Sequence, residues 1–165
     1  MLIVSLILVV LIISFGGVLL FGAPYLPTLK NQVDVALDLI DLKPGDTLIE
    51  LGSGDGRVLK AAAKRGIVSI GYELNPVLYM ISLVYCFPER RLISIHFQSF
   101  WRAPLDQADG IYVFLLDRFM NRLNKKIAQE IKKQTRVVSF AFAFPGRNCT
   151  KHIKGLNLYE FIPPR

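Results

Sequence analysis

The sequence predicts a doubly wound α/β domain behind one uncharged N-terminal segment. Three observations predict it. Short, near-continuous apolar runs alternate with helical patterns from residue 47 onward, as in a parallel sheet covered on both faces. A glycine-rich loop joins the first such run to a helix. The first charged side chain is Lys30, so all 33 charges lie in the last 136 positions. This distribution excludes a disordered chain, a disulfide scaffold and a multi-pass membrane protein.

The N-terminal segment comes first. Of residues 1–23, 18 are apolar and the other five are Ser or Gly. Residues 2–21 match the roughly 20 apolar residues that span a hydrocarbon core as a helix. A secretory signal peptide is the competing reading. It lacks a basic region before the apolar run, and Pro24 follows the candidate cleavage bond. Basic residues follow the segment and none precedes it. The positive-inside rule therefore puts the domain on the cytoplasmic side of a single-pass membrane protein. The net charge of +7 suits an anionic membrane surface, with nucleic acid as the competing partner. Cys86 and Cys149 fit no metal spacing and read as free thiols in a reducing compartment. The expected divisions are an anchor over 1–22, a linker and helix over 23–46, and the main domain over 47–165.

The elements follow in order. Val33, Ala36, Leu37 and Ile40 recur at helical spacing from residue 29, with Thr28 as the N-cap. Lys43-Pro44-Gly45-Asp46 is a turn. A strand is expected over 47–51, a glycine loop over 52–56, and a helix over 57–65 ended by Gly66. A second strand occupies 68–72. Pro76 opens a helix running to about residue 85. Further strands are expected over 92–97, 110–116, 136–144 and 158–162. A basic amphipathic helix spans 118–134. Its Lys and Arg side chains form a solvated outer face or meet lipid headgroups.

The loop Glu50-Leu51-Gly52-Ser53-Gly54-Asp55-Gly56 carries the chemistry. Its spacing is G-x-G-x-G, not the G-x-G-x-x-G of dinucleotide sites, which makes nicotinamide chemistry a distant alternative. Glu50 closes the first strand. Glu73 closes the second, 19 residues after Gly54, where an acid accepts ribose hydroxyls. Two unit charges about 4 Å apart interact by ~1 kcal/mol even in bulk water. Glu50 and Asp55 would therefore repel a pyrophosphate and favour a cofactor with an ammonium, a sulfonium and a ribose. S-adenosylmethionine has all three.

At these residues the chain resembles the class I, seven-strand S-adenosylmethionine-dependent methyltransferases, whose sheet is Rossmann-like. Ala23-Pro24-Tyr25-Leu26-Pro27-Thr28 after an anchor, the loop, and Gly71-Tyr72-Glu73-Leu74-Asn75-Pro76 resemble a narrower family. This is the small membrane-anchored protein-lysine N-methyltransferases, whose mitochondrial members modify the ATP synthase c-subunit and the adenine nucleotide translocase. The resemblance implies that Glu50, Gly52 and Gly54 line the methionine part of the cofactor, with Ser53 and Asp55 also among the cofactor-binding residues. It implies that Glu73 holds the ribose beside Leu74 and Asn75, and that Tyr25 and Thr28 belong to a lid. After the third strand the family carries an acid and an aromatic. Here Gln98-Ser99-Phe100-Trp101 leaves Ser99 or Gln98 in the acid's place, with Phe100 for stacking. Leu115-Leu116-Asp117 lacks the Asn/Asp-Pro-Pro-aromatic signature of enzymes that methylate amino groups of nucleic acid.

Several side chains keep two readings. Tyr25 is a channel wall or part of the aromatic belt at the bilayer interface. Thr28 contacts the cofactor or merely caps a helix. Asp117 contacts substrate or sits at a helix N-terminus for dipole reasons. His96 reads as packed and His152 as solvated. The expected function is methylation of a lysine on a membrane-associated protein, with no metal and no nucleic acid. A lipid or small hydrophobic acceptor is the alternative within the same chemistry. A non-catalytic binding module is the alternative outside it.

Overall fold

The computed structural model describes Ser5 and residues 30–163. The expected anchor over 2–21, Tyr25 and Thr28 lie outside these residues. Among the described residues, no helix is long and apolar enough to cross a membrane.

The elements run α1 (Lys30–Ile40), β1 (Thr47–Leu51), α2 (Arg57–Lys64), β2 (Val68–Glu73), α3 (Pro76–Tyr85), β3 (Ile93–Phe97), β4 (Gly110–Val113), α4 (Asp117–Glu130), β5 (Thr135–Phe140), β6 (Lys151–Ile153) and β7 (Leu156–Phe161). One seven-stranded sheet has the order β3-β2-β1-β4-β5-β7-β6. Strands β1 to β5 are parallel, and β7 runs antiparallel to both β5 and β6. The steps β1→β2→β3 go one way and β4→β5 the other. Right-handed crossovers therefore put α2 and α3 on one face and α4 on the opposite face. The strand order reverses between β1 and β4, and the carboxyl ends there form the crevice that binds ligands in doubly wound sheets.

Burial explains the elements. Val33, Ala36, Leu37 and Ile40 form the buried stripe of α1, which shares a core cluster with Leu48, Val58, Ala62, Val138 and Leu156. On the other face Met120, Leu123 and Ile127 of α4 pack over Ile49, Leu51, Ile111 and Val137. At the start of α3, the Asn75 side chain accepts bonds from the Val77 and Leu78 amides at 2.9 and 3.2 Å. Pro76 stands in the first turn, where a missing amide hydrogen loses nothing.

The C-terminal third departs from the expected pattern. The sheet is not wholly parallel and has seven strands rather than six. Strand β6 leaves no signal in the sequence because Lys151-His152-Ile153 is short, basic and mostly exposed. Lys154 and Gly155 join it to β7 with φ of 51° and 80°, the two positive angles that a tight hairpin turn needs. Strand β5 stops at Phe140 because Ala141 turns to φ 68°. Phe144 then drops into the core, edge-on to Tyr159 and Phe161 at 5.1 and 5.5 Å between ring centroids. Helix α4 ends at Glu130, earlier than the amphipathic pattern suggests. Ile131 adopts an extended conformation and is buried, and beyond it Lys133 Nζ pairs with the Asp109 carboxylate at 2.5 Å.

Removing the Asn75 cap tests this account of α3. Asn75→Ala is expected to lower the unfolding free energy by about 1 kcal/mol, read by chemical denaturation with an unchanged denaturant slope.

Candidate functional site

The glycine loop is folded back onto β2. The Gly52 and Ser53 amides donate to the Tyr72 carbonyl at 2.9 and 3.0 Å, and Gly54 N–H donates to Glu73 Oε2 at 2.7 Å. Glu73 Oε1 accepts from Leu74 and Asn75 N–H at 2.9 and 2.7 Å. Three amides thus converge on one carboxylate, tying the loop to the junction between β2 and α3. The fold needs a glycine opposite. A Cβ on Gly71 would lie 2.5 Å from Leu59 Cδ1 and 2.7 Å from Ser53 Oγ. In the sequence Gly71 stands only as one letter of a motif; its role as the seat of the loop emerges from the packing.

Glu50 and Glu73 stand on neighbouring parallel strands, Glu50 opposite Gly71 in register. Glu50 is buried, and its Oε2 has no hydrogen-bond partner. Burial, then the charges of Asp55 and Glu73, push its carboxyl well above the ordinary range, against a bond from the Leu59 amide. Burial also raises the Glu73 carboxyl, and the three amides oppose this. Asp55 is compensated more fully than the sequence suggests. Arg57 Nε donates to its two oxygens at 2.9 and 3.1 Å, and Arg57 Nη2 reaches Oδ2 at 2.5 Å. With Asp55 paired to a cation, the carboxyls left to meet a ligand are Glu50 and Glu73.

The remaining predicted residues are distributed as follows. Gly52 has φ 88° and is exposed, with no atom within 4 Å of the position a Cβ would take, so the loop backbone is open to a ligand there. Ser53 is buried and its Oγ has no partner. Leu74 is exposed, while Asn75 is buried with its carbonyl oxygen committed to the α3 cap. Gln98 and Ser99 are half-buried after β3, and Gln98 N–H donates to the Glu73 carbonyl at 3.2 Å. Phe100 lies in the core cluster with Tyr72 and tilts against Trp101 at 4.7 Å. Asp117 is exposed at the first turn of α4, beyond the carboxyl end of β4. His96 is not packed away as expected: it is exposed on β3, its ring stacked on Tyr72 at 5.1 Å. His152 is exposed and its Nδ1 lies 2.7 Å from Asn157 Oδ1. Cys86 is a buried free thiol pushed up to about 12, chiefly by burial.

These residues fit a cofactor that carries a cation and a ribose. An unpartnered carboxylate oxygen at a strand end can accept an ammonium, and Glu73 Oε2, which takes one amide, keeps a lone pair for a hydroxyl donor. A pyrophosphate would meet two carboxylates instead of a nest of free amides. Among the described residues, no group of three metal-ligating side chains assembles.

The raised Glu50 carboxyl has a measurable consequence. The folded chain keeps this proton to higher pH than the unfolded chain does. Glu50 therefore lowers stability progressively as pH rises from the ordinary carboxylate range through its raised value. Glu50→Gln is expected to unfold at a higher temperature than the wild type at neutral pH without ligand. The gap should close as pH falls to the ordinary carboxylate range; calorimetric melting across pH reads it.

Comparison with known proteins agrees with this geometry. The model of the ANTKMT methyltransferase domain family matches residues 50–151. The human lysine N-methyltransferase of the ATP synthase c-subunit is 31% identical over 124 residues, covering 74% of this chain and 53% of that protein. Mouse adenine nucleotide translocase lysine N-methyltransferase is 33% identical over 125 residues, 74% of this chain and 54% of that protein. The chain spans about half the length of these two relatives. A protein-lysine N-methyltransferase of Saccharolobus islandicus is 31% identical over 137 residues, 79% of this chain and 84% of that protein. Among solved structures, an RNA methyltransferase of Salinibacter ruber with S-adenosyl-L-homocysteine superposes with a TM-score of 0.77 at 27% identity, over 85% of this chain and 95% of that one. By sequence and by fold, the chain belongs to the ANTKMT methyltransferase domain family of S-adenosylmethionine-dependent methyltransferases.

Proposed function

We propose that the chain methylates a lysine side chain of a membrane-associated protein while tethered to the bilayer by residues 2–21, with its domain on the cytoplasmic side. The observation that carries the catalytic part is the buried, unpartnered Glu50 oxygen beside Glu73 at the switch point of the sheet. The lysine part is supported by relatives named as lysine N-methyltransferases. The membrane part is supported by the uncharged N-terminal run.

S-adenosylmethionine supplies an electrophilic methyl group on a sulfonium. The chain's residues bind, orient and exclude water. Glu50 would hold the ammonium end, the loop at Gly52 and Gly54 would line the methionine part, and Glu73 would hold the ribose. Ser99 and Gln98 lie beyond β3, on the adenine side. Asp117, at the first turn of α4 beyond β4, would orient the incoming lysine. A lysine must lose its proton before it attacks. Desolvation in the closed site and a neighbouring cation both lower its pKa, so positioning outweighs any dedicated base. Tethering keeps enzyme and membrane-bound acceptor at high effective concentration.

A nucleic-acid acceptor is the second reading. It is favoured by the net charge of +7 and by the likeness to an RNA methyltransferase.

Titration calorimetry should show S-adenosylmethionine binding that Glu73→Ala weakens by about ten- to a hundredfold, the cost of losing hydrogen bonds to a charged group. Binding should tighten as pH rises through the raised value of Glu50. No binding to the wild type would support a non-catalytic module. Isotope-labelled methyl donor incubated with membranes and RNA should label a protein, at lysine by mass spectrometry. Label confined to the lipid extract or to RNA would replace the acceptor assignment.

A further inference from the structure

Helix α3 is built inside out. Its buried stripe is Leu78, Ser82 and the C-cap Cys86, spaced by four, the last two small. The reason lies underneath: a Cβ on Gly56 would come within 2.6 Å of Cys86 Sγ and 3.2 Å of Ser82 Cβ, so the helix presses against the end of the glycine loop. Only small side chains fit there. The large apolar residues take the outer face of the helix and of the turn after it, where Val84 is 76% exposed, Phe87 61%, Met80 59% and Ile81 47%. Among the described residues, eight of the nine exposed large apolar side chains fall between Leu74 and Phe97. The helix itself, Pro76–Tyr85, carries no charge. A contiguous apolar patch of this kind marks an interaction surface.

The rim indicates what covers it. Past the C-terminal end of α3, the Arg90 guanidinium lies over the Phe87 ring at 4.4 Å; the Lys60 ammonium, over Tyr85 at 4.1 Å, is paired with Glu89 at 3.7 Å, so among the described residues the rim's free cations are Arg90 and Arg91. Arg91 is exposed beside them. An uncharged face with aromatic rings and cations at its edge has the composition of a surface that lies in the headgroup region of a bilayer. Eight residues separate the uncharged run 2–21 from Lys30, a reach of at most roughly 29 Å even when extended. We infer that the outer face of α3 is a lipid contact: Met80, Ile81, Val84 and Phe87 enter the acyl boundary, and Arg90 and Arg91 pair with anionic headgroups. This interface lies on a different element from residues 2–21 and does not depend on methyl transfer.

The test uses the full chain reconstituted into phosphatidylcholine vesicles containing phosphatidylglycerol. Val84→Trp places a fluorophore on the outer face and leaves the buried stripe intact; Trp101, the single native tryptophan, supplies the background. The expected result is a blue-shifted emission for Val84→Trp that brominated acyl chains quench well beyond the wild type. Adding Arg90→Glu and Arg91→Glu should abolish that quenching. A separate Val10→Trp probe reads the N-terminal segment, so the tether and the α3 contact can fail independently. Quenching at Val10 without quenching at Val84 would overturn the proposal. A blue shift at Val84 that grows with protein concentration without lipid would overturn it in favour of a second copy. A lipid-independent shift at all concentrations would overturn it in favour of cover by the chain's own N-terminal segment.

Discussion

The Glu73 carboxylate holds the site together. One oxygen receives the Gly54 amide from the loop, and the other receives the Leu74 and Asn75 amides from the turn into α3. Burying a carboxylate is costly, and these bonds offset part of that cost. The geometry follows from it. The loop can close over β2 only where Gly71 leaves room, and α3 can start only where Asn75 caps it. A change at any of these positions disturbs the others, because they share one acceptor.

Glu50 shows the opposite economy. The fold places it beside Glu73 and Asp55 in a buried position and leaves one oxygen without a partner. A buried polar atom without a partner in a native fold calls for an explanation. The proposed function supplies one: toward a cationic methyl donor, an uncompensated carboxylate would be a prepared binding determinant. Affinity for the cofactor and instability of the empty fold then have the same origin. Asp55, which looks equivalent in sequence, differs because Arg57 lies two positions on and neutralises it.

Much of this is legible in the sequence, and the failures are physical. The parallel half follows from apolar strands and from caps with a mechanism: Asn75-Pro76 opens α3, and Gly66 follows α2 at φ 79°. The pairing of Glu50 with Glu73 follows from strand-loop-helix-strand spacing. The antiparallel end is not legible, because β6 is three residues long and polar and its hairpin turn uses Lys154 at positive φ. The roles of Gly71 and Gly56 stay hidden because each is defined by atoms distant in sequence. The outward apolar face of α3 stays hidden for a related reason. A helix of almost uniformly apolar residues has no period that identifies its inner side, and the close approach of Gly56 to Ser82 and Cys86 becomes visible only in the packing.

The first helix carries a last consequence. Arg65 bridges Asp34 and Asp38 at 2.9 and 2.6 Å, Arg136 reaches Asp41 at 3.2 Å, and Ile40 sits where Gly110 lacks a side chain. Pinned at three points to α2, β5 and β4, this helix is a fixed post rather than a hinge. A load applied at Lys30 would therefore pass straight into the sheet instead of swinging the helix.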